Sequence, residues 1–268
     1  MTTEGFAPAK INLTLHVTGQ RADGYHLLDS LVVFADRADR LWFTPETQMQ
    51  ITVTGPFADG VPLDHRNLVW QAAELSGWTG HIKLEKNLPH GAGIGGGSSD
   101  AAAVLRAFGG AENALTLGAD VPVCMHRRAA HMSGIGEVVT PVKNDLTFFA
   151  VLVNPAAHVP TPAVFRALRK KENPQMTVFP EVGSSLKDWL EWLRRQRNDL
   201  EAPAVAVAPA IADVLRVLGD TPDILLARMS GSGSTCFGLY PTRQAARDAA
   251  SAIAVSHPDW WAVETTLS

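Results

Sequence analysis

The residues whose types and spacing best suit chemistry are the glycines and serines of the run Pro89-His90-Gly91-Ala92-Gly93-Ile94-Gly95-Gly96-Gly97-Ser98-Ser99-Asp100. Five glycines within seven residues cost too much backbone entropy for the interior of a helix or strand, so they predict a loop whose N–H groups can approach a ligand. The residues after it favour a helix, and Ser98, Ser99 and Asp100 suit its N-cap or first turn. Because unpaired N–H groups and the positive end of a helix dipole attract anions, we expect residues 89–99 to bind the phosphates of a nucleotide.

Other phosphate motifs fit this loop less well. The pattern Gly91-x-Gly93-x-x-Gly96 has the spacing of a dinucleotide fingerprint, but residues 86–90 separate it from the candidate strand at 81–85. The glycines do not lead into the Gly-Lys-Ser/Thr of a Walker A loop, and the sequence lacks the His-Arg-Asp and Asp-Phe-Gly triplets of protein kinases. A flexible linker is disfavoured because both flanks have the patterns of regular structure.

The elements that position this loop are inferred from hydrophobic periodicity. Residues 10–17 alternate, which predicts a strand with an apolar face and a polar face carrying Lys10, Asn12, Thr14 and His16. Further strands are predicted at 25–35, 41–53 (broken at Pro45-Glu46), 82–85, 148–153, 225–229, 236–240 and 262–266. Helices are predicted at 67–76, 99–108, 161–171, 186–197, 210–218 and 243–254. This mixture indicates an α+β fold, with a plausible domain boundary within residues 141–146.

Composition limits the class of protein. The 268 residues suit one large or two small domains, and 46% hydrophobic with 19% charged residues is ordinary for a soluble globular protein. The chain has no apolar run of membrane-spanning length and no basic-then-apolar leader, so we expect a cytoplasmic protein without a membrane partner. The net charge of −4 argues against a nucleic-acid partner, and Cys124 and Cys236 provide neither a disulfide framework nor metal-ligand spacing.

The glycine-rich run resembles the phosphate loop of the GHMP kinases, the superfamily of galactokinase, homoserine kinase and mevalonate kinase. Further segments match this family in the same order: Ala7-Pro8-Ala9-Lys10-Ile11-Asn12-Leu13 with Arg21-Ala22-Asp23-Gly24-Tyr25-His26, then Leu117-Gly118-Ala119-Asp120-Val121-Pro122-Val123, then Ser230-Gly231-Ser232-Gly233-Ser234. The resemblance implies a two-domain α+β kinase, with a ribosomal-protein-S5-like domain at residues 1–143, a ferredoxin-like domain at residues 144–268 and the active site between them. It also implies ATP as co-substrate and Mg²⁺ bound mainly through ATP, with Ser98 or Ser99 as the side chains that could reach the metal.

The same resemblance assigns the catalytic residues. Asp120 is implied to accept the proton of the substrate hydroxyl, and Lys10 to pair with Asp120 and steady the charge on the transferred group. From the residues alone, two plainer interpretations stay open: Asp120 could cap the following helix, and Lys10 could be a solvated charge.

The matched segments are most similar to the branch of this superfamily that acts on a cytidine diphosphate ester. In that branch, Tyr25 is implied to stack on the cytosine, His26 to hydrogen-bond its edge and Phe165 to supply a partner stack. Asn12 would contact the diol portion of the substrate, and Gly231, Ser232 and Gly233 would close over its phosphates. The implied reaction phosphorylates the 2-hydroxyl of CDP-methylerythritol, in the non-mevalonate pathway to isoprenoid precursors.

Two alternative functions remain at this point. One is another small-molecule kinase of the superfamily, of the homoserine or mevalonate type, and the other is a non-catalytic nucleotide-binding protein. We expect a monomer or weak homodimer. Strand packing alone would explain Tyr25 and His26, and a plain hairpin would explain residues 229–235. For the triplet Asn198-Asp199-Leu200 we expect a structural role.

Overall fold

The computed structural model describes residues 2–143 and 147–268, which form eleven strands and nine α-helices. The strands are β1 (Thr3–Asn12), β2 (His16–Gln20), β3 (His26–Pro45), β4 (Gln50–Thr54), β5 (Gly80–Glu85), β6 (Ala130–Gly134), β7 (Val138–Pro141), β8 (Phe148–Asn154), β9 (Leu226–Met229), β10 (Cys236–Tyr240) and β11 (Trp261–Leu267). The helices are α1 (Leu68–Leu75), α2 (Gly96–Phe108), α3 (Ala114–Leu117), α4 (Val121–His126), α5 (Thr161–Ala167), α6 (Leu186–Arg195), α7 (Glu201–Val207), α8 (Ala210–Gly219) and α9 (Arg243–Ser256).

The long strand β3, with 20 residues, organises the sheet. It pairs antiparallel with β1, β2, β5 and β6. At its middle, Ala35 pairs with Leu267 of β11, and the sheet continues through β8 and β10 to β9. The strands of the two halves of the chain are thereby joined. The predicted boundary within 141–146 falls partly on residues 144–146, which lie outside the described residues.

The strand predicted at residues 10–17 is divided in the structure. β1 ends at Asn12 and β2 begins at His16. Between them the N–H of Leu13 still bonds to Leu31 O of β3, whereas the N–H of Leu15 bonds to Arg197 O from the second half of the chain. The alternation itself is correct, but the polar face is as buried as the apolar one. Segments from the second half of the chain cover it: Thr14 Oγ1 contacts Met176, and His16 contacts Pro174.

The helix after the glycine loop begins earlier than predicted. α2 starts at Gly96, and its N-cap is Gly95 in the left-handed region with φ of 63°. Ser98 and Ser99 therefore lie inside the first turns and do not cap the helix. A first turn of bare glycine leaves backbone N–H groups uncovered at the helix start, which is the arrangement an anion requires.

The strands predicted at 25–35 and 41–53 are divided differently in the structure, because β3 runs unbroken from His26 to Pro45 and β4 covers only Gln50–Thr54. The other predicted elements are present with changed ends. α5 stops at Ala167 and not at residue 171, and α6 stops at Arg195. The helices α3, α4 and α7 and the strands β6 and β7 were not among the predicted elements, although a helix after Asp120 was one interpretation left open. They are short, and they depend on pairing and packing with distant elements more than on their own sequence pattern.

Three hydrophobic clusters support these elements. One packs α1 and α2 on β3 and β5, a second lies around α6, and a third lies under α8 and α9. Cys124 and Cys236 are free and buried in these cores. In the ranges 2–143 and 147–268, none of the helices combines the length and hydropathy needed to cross a membrane.

Candidate active site

A cavity of about 750 Å³ brings together residues from both halves of the chain. Its wall includes β1, the glycine loop with the start of α2, the residue before α4, the turn before β3, α5 and the second glycine-serine turn after β9. The residues predicted for the site that line it are Lys10, Asn12, Tyr25, His26, Gly91, Ala92, Gly93, Gly95, Gly96, Gly97, Ser98, Asp120, Phe165, Gly231 and Ser232. Pro89, His90, Ile94, Ser99 and Gly233 are not in its lining.

Lys10 and Asp120 form the charged centre of this cavity. Lys10 is almost fully buried, and its Nζ lies 3.1 Å from Oδ2 of Asp120, whose side chain is 36% exposed. The same ammonium donates to Oδ1 of Asn12 at 2.8 Å. Asp120 occupies the N-cap position of α4 but makes no capping hydrogen bond. Its carboxylate therefore faces the cavity, held from one side by a buried cation.

Asn12 is held in one orientation by three contacts. Its Nδ2 donates to Ser30 Oγ at 2.8 Å, so its Oδ1 must face Lys10. Its backbone N–H donates to Ser230 Oγ at 3.0 Å, which ties β1 to the second glycine-serine turn. Lys10 is thus oriented by a neutral amide whose own position is fixed by hydrogen bonds.

The two glycine-serine turns touch through their backbones. A Cβ on Gly93 would lie 2.5 Å from Ser230 O, and a Cβ on Gly231 would lie 2.7 Å from Gly93 O. Ser230 Oγ also donates to Gly93 O at 3.1 Å. Only glycine permits this approach, because both residues have positive φ and no room for a side chain.

The triplet Asn198-Asp199-Leu200 supports the second turn. Asn198 Nδ2 donates to Met229 O and to Gly231 O, both at 2.9 Å. Asp199 accepts from the backbone N–H of Val17 at 2.8 Å. These contacts fit the structural role that the sequence predicted.

A buried ionic cluster lies beneath the glycine loop, and the sequence did not reveal it. Lys86 Nζ pairs with Oδ2 of Asp39 and, at 2.7 Å, with Oδ2 of Asp100. Asp39 Oδ1 also accepts from the N–H groups of Asn87 and Leu88, at 2.6 and 2.9 Å. The cluster therefore joins β3 to both ends of the loop. No sequence pattern indicated it, because its three members come from distant segments.

Asp100 belongs to this cluster and does not reach the cavity. It is buried, and its Oδ1 has no hydrogen-bond partner in the part of the chain that the structure describes. Burial raises the pKa of its carboxyl, and the neighbouring Asp39 raises it further against the opposing effect of Lys86. Through Lys86, Asp100 helps to hold the start of α2 against β3, which carries Asp39.

The other end of the cavity is aromatic. His26 stacks on Phe165 with ring centroids 4.7 Å apart, and Tyr25 is 59% exposed beside them. Burial lowers the pKa of His26, and the ammonium of Lys171 lowers it further. The imidazole is therefore uncharged at neutral pH. Its Nε2 is enclosed without a hydrogen-bond partner among the described residues.

The serines after the glycines differ from each other. Ser98 lines the cavity, whereas Ser99 is fully buried and its Oγ has no partner in the described ranges. The same ranges contain no group of three or more His, Cys, Asp or Glu side chains that could hold a metal ion.

Family models place this fold and site in a known class. The model for the GHMP kinases N terminal domain matches residues 67–128, and the model for GHMP kinases C terminal matches residues 178–257. The chain belongs to the GHMP kinases, which makes it a small-molecule kinase that uses ATP. The α+β fold predicted from sequence is confirmed.

Within this superfamily the matches are specific. A 4-diphosphocytidyl-2-C-methyl-D-erythritol kinase of Dinoroseobacter shibae is 57% identical over 98% of this chain and 94% of its own, and one of Cereibacter sphaeroides (strain ATCC 17025 / ATH 2.4.3) is 51% identical over 97% of each. A solved 4-(cytidine 5'-diphospho)-2C-methyl-D-erythritol kinase superposes with a TM-score of 0.79 at 36% identity, covering 99% of both chains. A homoserine kinase from Cytophaga hutchinsonii shares the fold, with a TM-score of 0.67 at 17% identity over 100% of this chain and 94% of its own. The chain belongs with the 4-diphosphocytidyl-2-C-methyl-D-erythritol kinases.

Proposed function

We propose that the protein transfers the γ-phosphoryl group of ATP to the 2-hydroxyl of 4-diphosphocytidyl-2-C-methyl-D-erythritol, forming the 2-phosphate and ADP. The observation that carries the proposal is the Lys10–Asp120 pair at 3.1 Å, in the same cavity as a glycine loop and an aromatic subsite. The names of the relatives identify the acceptor. This is the reaction that the sequence resemblance implies.

Asp120 is the proposed proton acceptor. Its carboxylate would take the proton of the 2-hydroxyl as the new O–P bond forms, and the bond between the γ-phosphorus and the bridging oxygen would break to release ADP. Lys10 would hold this carboxylate in place, and its ammonium would stabilise the negative charge that grows on the transferred group. Asn12 orients Lys10 and would contact the diol portion of the substrate.

The phosphates of ATP would bind the glycine loop and the first turn of α2. Gly95, Gly96, Gly97 and Ser98 line this part of the cavity. Their N–H groups and the helix dipole favour an anion, and the loop contains no lysine to neutralise it. Mg²⁺ would supply that neutralisation, and Ser98 is the residue placed to add a hydroxyl ligand. An ion bound mainly by phosphates and water needs no further protein cage.

The aromatic end of the cavity would bind cytosine. Tyr25 and Phe165 offer flat faces, and the uncharged His26 can hydrogen-bond the edge of the base. Gly231 and Ser232 would lie against the phosphates of the substrate. We also propose that the two halves are domains of residues 1–143 and 144–268 and that the protein is a monomer or weak homodimer.

The first experiment measures ADP formation from ATP and Mg²⁺, with and without the cytidine substrate, for the wild type and Asp120→Asn. We expect substrate-dependent ADP formation in the wild type and a loss of about a hundredfold or more in the variant. ATP binding, measured by calorimetry, should stay near the wild-type value because Asp120 lies outside the glycine loop.

Two results would contradict the proposal. Wild-type turnover unchanged by this substrate, but stimulated by homoserine or mevalonate, would move the assignment to another small alcohol. Full activity in Asp120→Asn would remove this carboxylate from the reaction while leaving the substrate assignment intact.

A further inference from the structure

One arginine joins the three elements that carry the groups of the proposed reaction. Lys10 lies on β1, Asp120 directly precedes α4, and the glycine loop leads into α2. Arg106 lies in the last turn of α2, and its Nη1 donates to Cys124 O of α4 while its Nη2 donates to Phe6 O of β1, both at 2.7 Å. A single side chain therefore holds the strand of Lys10 and the helix after Asp120 on the helix that begins at the glycine loop.

The position of Asp120 depends on α4, which is a short helix. It has six residues, so its own hydrogen bonds stabilise it only weakly. Within residues 2–143 and 147–268, Lys10 is the only group that pairs with the Asp120 carboxylate. The place of the α4 backbone relative to β1 therefore decides whether these two groups meet.

The two hydrogen bonds of Arg106 act close to this pair along the backbone. The N–H of Cys124 donates to Asp120 O at 3.2 Å, so the carbonyl that Arg106 holds lies one helical turn from Asp120. Phe6 precedes Lys10 by four residues on the same strand. The elements α4 and β1 are thus fastened to each other at two places, by Arg106 at one and by the Lys10–Asp120 pair at the other.

The chemistry of Arg106 suits such a bridge. Its planar guanidinium presents N–H donors in a fixed fork, so it can bind two carbonyls in set directions. Burial and, to a smaller extent, the neighbouring Arg127 lower its pKa to about 10, so the group remains charged at neutral pH. It forms no ion pair with a carboxylate of the described residues, and its charge strengthens the two hydrogen bonds.

We propose that Arg106 is a positioning residue for phosphoryl transfer, which sets the distance between Lys10 and Asp120 by holding β1 and α4 on α2. This inference rests on the proposed function, because it assumes that the pair acts in the reaction. Arg106 does not line the cavity, so it acts through the pair and not on a substrate. At about 1.5 Å per residue it lies roughly 15 Å along α2 from Gly96, so ATP should bind normally without it.

The test compares Arg106→Met, Arg106→Lys and the control Arg37→Met. Methionine keeps an apolar stem and removes both hydrogen bonds, whereas lysine keeps the charge but lacks the fork. Arg37 also joins two elements, because it lies on β3 and its Nε donates to Glu264 O of β11 at 2.8 Å, and it does not line the cavity. Single-turnover and steady-state kinetics give kcat and both KM values. Thermal unfolding identifies an assay temperature at which every variant is folded.

We expect Arg106→Met to lower kcat by about tenfold or more, with KM for ATP and for the cytidine substrate changed by less than about twofold. Arg106→Lys should lie between Arg106→Met and the wild type, and Arg37→Met should keep the wild-type kcat. An unchanged kcat in Arg106→Met, or an equal loss in Arg37→Met, would overturn the inference. Should Arg106→Met not fold, the same criteria apply to Arg106→Lys, for which a loss of about threefold is expected.

A double-mutant cycle separates positioning from a general structural effect. A residue that acts through the pair should matter little once the pair is gone, so Arg106→Met should reduce kcat much less in the Lys10→Met background than in the wild type. A purely structural role would multiply the two losses. Losses that multiply would therefore remove Arg106 from the positioning of the pair.

The failure of this inference and of the proposed function can be told apart. A wild type that phosphorylates the cytidine substrate, with an equally active Arg106→Met, keeps the function and removes the positioning role. A wild type that acts on homoserine or mevalonate and not on the cytidine substrate removes the function, and the same kcat ratios measured with that alcohol then decide the positioning role. A wild type that is inactive with all three alcohols refutes both.

Discussion

The ammonium of Lys10 lies 3.1 Å from Oδ2 of Asp120, and this pair joins the end of the first strand to the start of α4. The two side chains differ in environment, since Lys10 is almost fully buried while Asp120 is partly open to the cavity. A buried cation thus holds an accessible carboxylate. The capping role that Asp120 could have had is not used, because its side chain makes no capping hydrogen bond.

Replacing Lys10 by Met should lower kcat by about a hundredfold or more and leave KM for ATP near its original value. The change removes the cation that aims Asp120 and stabilises the transferred group. Single-turnover kinetics measures the effect. Lys83→Met is the control, because this exposed lysine lies over the ring of Trp42 and not in the cavity. A normal chemical step in Lys10→Met would show that the pair is structural.

Replacing Tyr25 by Ala should raise KM for the cytidine substrate about tenfold, with kcat and KM for ATP little changed. Stacking of a base on an aromatic ring contributes about 1–3 kcal/mol, and an exposed tyrosine at the cavity rim can provide it. Steady-state kinetics with each substrate varied separately measures the change. Tyr25→Phe should retain normal KM, and a wild-type KM in Tyr25→Ala would refute the stacking role.

Gly93→Ala should abolish most activity and lower stability by roughly 3 kcal/mol or more, because the new Cβ would lie 2.5 Å from Ser230 O in a residue with φ of 74°. Gly91→Ala is the matched control. It has a similar φ of 63°, but its nearest neighbour would be His158 Nδ1 at 3.7 Å. We expect it to lose only about 1–2 kcal/mol. Thermal unfolding and KM for ATP distinguish the two, and equal losses would show that contact between the turns is unimportant.

Lys86→Met should destabilise the protein by about 3–5 kcal/mol, because it leaves two buried carboxylates, Asp39 and Asp100, without their cation. Asp100→Asn should cost clearly less, since burial raises the pKa of this carboxyl and a neutral amide matches its protonated form. Urea unfolding at pH 7 measures both. If Asp100→Asn were as damaging as Lys86→Met, the cluster would require both negative charges.

Stability should fall as the pH drops below about 6.5, partly through His16. Burial lowers the pKa of His16, as does Arg197, and the ring accepts a hydrogen bond from Arg197 N through Nε2 at 3.3 Å. The unfolded chain therefore binds a proton at His16 more readily than the folded one between pH 6.5 and the lowered pKa, so the contribution of His16 to stability decreases as the pH falls across that window and is constant above it.

The check on His16 is the unfolding free energy of wild type and His16→Gln between pH 5 and 8. The variant should show a shallower decline with falling pH, whatever its absolute stability. His65→Gln is the control, because His65 is exposed, and its pH slope should equal that of the wild type. An unchanged slope in His16→Gln would assign the acid sensitivity to other groups.

Local sequence determined the elements with strong patterns. The alternation around Ile11, the periodicity of α1 and the apolar run of β8 each predicted an element that is present. The ends shifted where tertiary contacts intervene. α2 begins at Gly96, next to a loop whose Ile94 O accepts from the N–H of Lys10 at 2.8 Å, and α5 ends at Ala167, before Lys171, whose ammonium contacts Gln20. Such contacts join residues far apart in the chain, and a local pattern contains no information about them.

By itself, the sequence determined the class of chemistry, because a glycine loop before a helix and the motifs around Lys10, Tyr25 and Asp120 depend on local backbone geometry and residue type. Tertiary structure alone decided that Lys86 binds Asp39 and Asp100 beneath the loop, and that Arg166 and Lys171 line the cavity without an ion pair to a carboxylate of the described residues. The physical reason is that charge balance and burial are properties of neighbours in space. Those neighbours come from segments whose separation along the chain leaves no periodicity to detect.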